Sequence, residues 1–235
     1  MSDKRHSQGR KSPGPCGLRA PCAGKSEVPT WAGKRFIAIA GNIGAGKTEL
    51  TQFLCRRYDI KPFYEPNEQN PYLADFYADM RTWAYRSQVF FLTHKFRLHL
   101  ELQDEPGTVV QDRTIYEDAE IFARNLYRHR KIDARDFRVY WQLYQSISAT
   151  LRPPDLMIYL RCPVRTLRKR IKLRGRAMER DLPTAYLRRL NRLYENWFKR
   201  YELSPVLVLE SDQLDWMTDL VDRVDLFRRI ERYLD

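Results

Sequence analysis

Four short apolar runs punctuate the chain: Phe36-Ile-Ala-Ile-Ala40, Thr108-Val-Val-Gln-Asp112, Leu156-Met-Ile-Tyr-Leu160 and Val206-Leu-Val-Leu209. Each has strand length and little polar alternation, the pattern of strands covered on both faces. A fifth segment, 61–67, reads as a short strand or loop. Between these runs, apolar residues recur at helical spacing over about 48–57, 72–102, 116–126, 134–149, 163–173, 184–200 and 217–233. Val89-Phe-Phe-Leu92 imitates a strand but lies inside the long helical stretch, and Pro106-Gly107 closes that stretch with a turn. Short apolar strands alternating with helices predict an α/β fold. It should have a mainly parallel central sheet of about five strands, with helices on both faces.

The first strand runs into Gly41-Asn-Ile-Gly-Ala-Gly-Lys-Thr48, which fits G-x-x-x-x-G-K-[ST]. Glycines at this spacing let successive backbone N–H groups turn inward around an oligophosphate. The helix that follows adds its N-terminal dipole to the same anion site. Gly41, Asn42, Ile43, Gly44, Ala45, Gly46, Lys47 and Thr48 are therefore expected to bind ATP. Lys47 supplies charge for the outer phosphates, and Thr48 is placed to ligate Mg²⁺. Two further polar groups follow predicted strands, Glu65 and the pair Asp112-Arg113. Strand ends converge in a parallel sheet, so these groups should share one site with the phosphate loop. A carboxylate there suits a general base for a hydroxyl attacking the γ-phosphate, and a strand-end Asp suits the Mg²⁺ site.

Charge and composition change this picture at the edges. The formal net charge is +12, and half of that excess falls within residues 1–35. Residues 1–33 are rich in Ser, Pro, Gly and basic residues, which predicts a disordered basic tail ahead of one catalytic domain over 34–235. The run Arg170 to Arg180, interrupted by Gly175, suggests a basic lid over about 170–182. Cys16, Cys22, Cys55 and Cys162 show no C-x-x-C spacing, so a reducing, cytoplasmic setting is expected rather than a disulfide scaffold. No apolar run reaches the ~18 residues of a membrane span, so no membrane partner is expected.

The order phosphate loop, Glu65-Pro66, Tyr77, Gln88, Asp112-Arg113-Thr114-x-Tyr116-x-Asp118 and Leu173-Arg-Gly-Arg176 resembles the deoxyribonucleoside kinases. The likeness runs from about Lys34 to the C-terminus. Residues 111–122 look most like the bacterial deoxyadenosine/deoxyguanosine kinase branch. The resemblance implies a P-loop kinase that transfers the γ-phosphoryl group of ATP to the 5′-hydroxyl of a deoxynucleoside, in nucleotide salvage. It implies Glu65 as general base, Arg113 holding Glu65 and the reacting oxygens, and Lys47 as the third catalytic group. Asp112 would stand near Mg²⁺ where many relatives carry Glu. Tyr77 and Glu179 match positions at the sugar 3′-hydroxyl, Gln88 and Asp118 match the base-reading pair, and Phe122 matches an aromatic packed on the base. Arg170, Arg174 and Arg176 match the lid arginines. Lys95 stands where animal relatives often place an Arg beside Asp118, and Lys lacks the planar donor fork. A homodimer is implied by the same analogy.

A purine-preferring deoxynucleoside kinase is the leading expectation. A thymidylate-type nucleoside monophosphate kinase would share the phosphate loop and the strand-end Asp-Arg, but a monophosphate acceptor needs additional cations in its pocket. A nucleic-acid-binding ATPase, suggested by the net charge, would show strand-stimulated hydrolysis. No nucleic-acid partner is expected.

Overall fold

A computed structural model describes residues 33–64, 69–176, 179, 182–214, 216 and 218–233. The expected tail, apart from Gly33, and Glu65 itself lie outside the described residues.

The four apolar runs form β1 (Phe36–Gly41), β3 (Val109–Asp112), β4 (Leu156–Arg161) and β5 (Val206–Glu210), and Lys61–Phe63 forms β2. They pair in the order β2-β3-β1-β4-β5, every pair parallel. β1 is buried at all of its positions, so helices cover both of its faces, as the unbroken apolar run required. β5, at the sheet edge, alternates between buried and half-buried positions.

The chain order explains where a ligand fits. From central β1 the chain moves out to β2 and back to β3 on one side, then crosses to β4 and β5 on the other. The loops after β1 and β3 therefore diverge, and a crevice opens at their carboxyl ends. The helix α1 (Lys47–Arg57) starts from the loop after β1 and packs on β1, β2 and β3.

Three of the expected helical stretches take a more particular form than their periodicity shows. The stretch expected to be mostly helical over 72–102 is so, divided into α2 (Leu73–Ala78) and α3 (Met80–Asp104). Asp79 causes the division: its carboxylate accepts from the Arg81 and Thr82 N–H groups and caps α3, leaving the helical register itself. The helix expected over 116–126 begins as α4 (Ile115–Glu117), widens into a π-helical segment (Asp118–Ala123) and continues as α5 (Arg124–Arg128). Such wide turns cluster at functional sites, and this one carries Asp118 and Phe122. The last helix, α9 (Leu220–Glu231), starts three residues later than expected because Asp219 caps it. The remaining helices are α6 (Ala134–Ser148), α7 (Val164–Arg174) and α8 (Thr184–Phe198). No helix among the described residues is long and apolar enough to cross a membrane.

Candidate active site

The phosphate loop depends on glycine at two positions. Gly44 has φ +80°, and a Cβ there would lie 2.9 Å from Ile171 Cγ1 and 3.1 Å from the Leu167 carbonyl oxygen. Gly41 has φ +154°, and its Cβ would stand 3.0 Å from the Leu160 carbonyl oxygen. Both glycines thus let the loop lie tight against α7 and β4. Asn42 ties the loop to α8: its Nδ2 donates to Asn191 Oδ1 at 2.5 Å and to the Leu187 carbonyl at 3.0 Å. No side chain caps the N-terminus of α1, so its leading N–H groups face the crevice as an anion site.

A cavity of about 400 Å³ opens beside this loop. Lys47, Thr48, Asp112 and Arg113 form one end of it. Gln88, Asp118 and Phe122 line it from α3 and the π-helical segment, Tyr77 from α2, and Arg174, Arg176 and Glu179 from the end of α7 and the residues beyond it. The structure therefore gathers thirteen of the expected residues, Ile43 and Gly44 included, around one space. Glu65 lies outside the described residues, just past the end of β2.

Thr48 Oγ1 donates to Asp112 Oδ2 at 2.6 Å. The second carboxylate oxygen, Asp112 Oδ1, is buried without a hydrogen-bond partner. A hydroxyl and a carboxylate held together, with one orphaned oxygen at the cavity edge, make a hard oxygen donor set of the kind Mg²⁺ uses.

Arg113 is buried and takes a left-handed backbone conformation, φ +64°. Its Nη2 donates to the Gly41 carbonyl at 3.3 Å, and its guanidinium sits 4.5 Å from the centre of the Phe122 ring. Phe122 thus touches Arg113 as well as the cavity.

Deeper in the cavity, Asp118 meets Lys95, which is wholly buried in α3. The ammonium stands 3.3 Å from Oδ1 and 3.2 Å from Oδ2. Gln88 is buried on the same wall, and its Oε1 has no hydrogen-bond partner. Past the end of α7, Glu179 pairs with Arg174 and, at 3.4 Å, with Arg176.

Arg170 behaves differently from Arg174 and Arg176, the other two arginines expected in a lid. It lies one turn before Arg174, the last residue of α7, and its Nη1 donates to the Ala45 carbonyl at 2.9 Å. Both of its terminal nitrogens also reach Ser211, at 3.2 Å to Oγ and 2.6 Å to the carbonyl. It clamps the phosphate loop to the segment after β5. A second cavity of about 660 Å³ lies on that side, lined by Gly46, Arg170, Leu214 and Trp216 among others. Gly44, Lys47, Thr48 and Arg174 line both cavities, so the phosphate loop is where they meet.

Sequence reasoning missed several participants. Glu117 is fully buried and hydrogen-bonds the first residue of the phosphate loop, Gly41. The Thr114-x-x-Glu117 spacing of a capping box was its only local signal. Tyr194, Asn191, Ser211 and Trp216 carried none, because their partners are distant in sequence. Two phenols at the cavity have raised pKa values: Tyr64, through burial and the nearby Cys55 and Asp112, and Tyr186, which burial pushes up to about 12.

A family model described as deoxynucleoside kinase matches residues 37–235. The chain is 34% identical over 186 residues to a deoxyadenosine/deoxycytidine kinase of Bacillus subtilis (strain 168), covering 78% of this chain and 86% of that one. It is 35% identical over 196 residues to a deoxyguanosine kinase of Lactobacillus acidophilus, covering 80% and 85%. Among solved structures, the deoxyadenosine kinase from M. mycoides with bound dATP superposes with a TM-score of 0.73 at 27% identity. That match covers 84% of this chain and 99% of the other.

Proposed function

The chain belongs to the deoxynucleoside kinase family and is an ATP-dependent phosphotransferase; we propose that its preferred acceptor is a purine deoxynucleoside, phosphorylated at the 5′-hydroxyl. The observation that carries this reading is the wall formed by Gln88 and the Lys95–Asp118 pair, in the same cavity as the phosphate loop. A carboxylate held beside a buried ammonium accepts hydrogen bonds, and an amide can both donate and accept. Together they suit a base with an exocyclic amine beside a ring nitrogen or carbonyl acceptor. Thymine has no such amine and would turn a carbonyl toward Asp118. Relatives that are deoxyguanosine and deoxyadenosine kinases support the purine choice.

The site roles follow from this reading. Glu65 takes the proton of the 5′-hydroxyl, and Arg113 holds the acceptor region and the transferring group. Gly41 to Thr48 cradle the phosphates, with Lys47 at the outer ones. Thr48 and Asp112 would hold Mg²⁺, which supplies charge neutralisation for the triphosphate when bound. Tyr77 and Glu179 contact the sugar 3′-hydroxyl, and Phe122 packs on the base. Glu179 already accepts from two arginines, but a carboxylate has about four lone-pair sites and can take the hydroxyl as well. Arg174 and Arg176 act on the phosphates, while Arg170 acts through the loop it clamps.

A homodimer and a cytoplasmic setting belong to the same proposal. Leu100 on α3 and Val139 and Leu143 on α6 are exposed apolar residues on helices that pack side by side, a surface suited to a second copy. Cys55 and Cys162 are free thiols, as a reducing compartment maintains.

The test is kcat/KM for ADP release with ATP and Mg²⁺, measured with deoxyadenosine, deoxyguanosine, deoxycytidine, thymidine and thymidine monophosphate. The reading requires the highest value on a purine nucleoside. Highest activity on deoxycytidine, on thymidine or on the monophosphate would overturn it.

A further inference from the structure

Glu117 is completely buried, yet none of the chemistry above uses it. Its Oε2 accepts the Thr114 N–H at 3.0 Å, which is the Glu117 half of a capping box for α4. That bond occupies one oxygen. The other, Oε1, points out of the helix, where three groups from different parts of the fold converge on it. These are the Gly41 N–H at 3.2 Å, the Tyr194 hydroxyl of α8 at 2.8 Å, and Arg113 Nε at 3.9 Å.

The hydrogen bonding closes into a ring. Tyr194 Oη also lies 2.9 Å from the Gly41 carbonyl, but a phenol has one proton to give. Arg113 Nη2 already donates to that carbonyl at 3.3 Å. The phenolic proton therefore goes to Glu117, and Arg113 serves Gly41. One peptide of the phosphate loop is thus held on its N–H side by Glu117 and on its carbonyl side by Arg113, and the two side chains face each other as an ion pair. Burial pushes the Glu117 carboxyl upward, and Arg113, Lys47 and Lys95 pull it back toward the charged form.

The same carboxylate also governs the backbone of Arg113. A left-handed φ of 64° at a non-glycine residue is strained and persists only where the surroundings hold it. Glu117 fastens the next peptide N–H, that of Thr114, while Phe122 packs on the far side of the guanidinium. Backbone turn, guanidinium and phosphate loop therefore share one anchor.

We propose that Glu117 is a positioning residue for phosphoryl transfer: it fixes the Arg113 guanidinium relative to the phosphate loop, so that donor and acceptor are held in one register. This rests on the reading that Arg113 acts at the acceptor hydroxyl. An arginine beside a triphosphate is drawn toward the phosphates, and a buried counter-charge on its other side opposes that pull. A displacement of about 1 Å in such a site costs on the order of 10²-fold in rate.

A carboxylate that only capped α4 would affect stability and leave transfer alone, so the test separates the two. Glu117→Gln preserves size but presents an amide NH₂ to a set of donors. Its kcat should fall about 10-fold or more, with KM for ATP and for deoxyadenosine within about threefold of wild type. In an Arg113→Ala background, the same change should alter kcat by less than about twofold, because the arginine it acts through is gone. Tyr194→Phe, which keeps the carboxylate and removes one of its donors, should show the same pattern with a smaller loss. It carries the test if Glu117→Gln does not fold. An unchanged kcat in the single variant, or a full multiplicative loss in the double variant, would overturn the proposal while leaving the role of Arg113 standing. An Arg113→Ala variant with near-normal kcat would remove the reading beneath it instead.

Discussion

Lys95→Met tests whether the buried Lys95–Asp118 pair beneath the proposed base site is both structural and functional. Lys95 is wholly inaccessible, and its ammonium lies 3.2 Å from Asp118 Oδ2. At an effective dielectric near 20, that separation gives an attraction of about 5 kcal/mol. Desolvation of both ions offsets much of it, so the pair adds little net stability against an apolar replacement. Removing one partner is different, since it strands the other charge, typically at a cost of about 3–5 kcal/mol. Asp118 borders the cavity and can recruit water there, so the lower end, about 3 kcal/mol, is expected. Asp118 would also relieve its isolation by taking up a proton, and a protonated carboxyl presents an O–H donor in place of one acceptor and so reads the base differently. KM for deoxyadenosine should therefore rise about 10-fold or more, as expected where a polar contact built for the substrate is lost. Urea unfolding followed by tryptophan fluorescence, together with steady-state kinetics, measures both effects. The double variant Lys95→Met/Asp118→Asn should recover most of the stability but not the affinity. A loss below about 1 kcal/mol in the single variant, or unaltered KM, would refute the reasoning.

Other perturbations probe separate parts of the account. Glu65→Gln should leave deoxynucleoside KM nearly unchanged and cut kcat by about 10²-fold or more; near-normal turnover would remove Glu65 as the base. Gly44→Ala forces a left-handed φ on a residue with a Cβ 2.9 Å from Ile171. It should cost about 1–3 kcal/mol in urea melts and raise KM for ATP, and an unaltered KM would count against the loop's role. His99 is buried, its Nε2 donating to the Arg152 carbonyl at 2.9 Å while Nδ1 has no hydrogen-bond partner. Burial holds its pKa below the ordinary 6.5, so the unfolded chain takes up a proton first. The stability this gives is present above pH 6.5 and is lost as pH falls through that value toward the folded one. The melting temperature of wild type should thus drop more between about pH 7.5 and 5.5 than that of His99→Gln, and parallel curves would contradict this.

How much of this was legible in the chain depended on distance along it. The phosphate loop could be read because its strand, glycines, lysine and helix are contiguous over 36–57, and each imposes a local constraint. The strands were legible because parallel strands covered on both faces need unbroken apolar runs, as Phe36–Gly41 shows. The helix breaks were less visible. Asp79 interrupts an apolar periodicity that continues on both sides of it, and nothing local marks the widening at Asp118–Ala123. The supports of the site were the least visible. Glu117 meets Gly41 across 76 positions, Tyr194 meets it across 153, and Arg170 meets Ser211 across 41. Only the fold brings such groups together, and a single sequence carries no periodicity that links them. Arg170 illustrates the limit: its place in a basic run suggested a lid, but α7 runs on through it and turns it toward Ala45 and Ser211.

The central claim is that the phosphate loop and the acceptor cavity form one transfer site for a deoxynucleoside. The most direct measurement follows the phosphorus itself, by ³¹P NMR of the protein with ATP, Mg²⁺ and deoxyadenosine. The account predicts that the γ-phosphorus resonance disappears in step with the growth of ADP and of a 5′-monoester of deoxyadenosine. Growth of inorganic phosphate with no monoester would mean that water, not the nucleoside, accepts the group, and the account would fail.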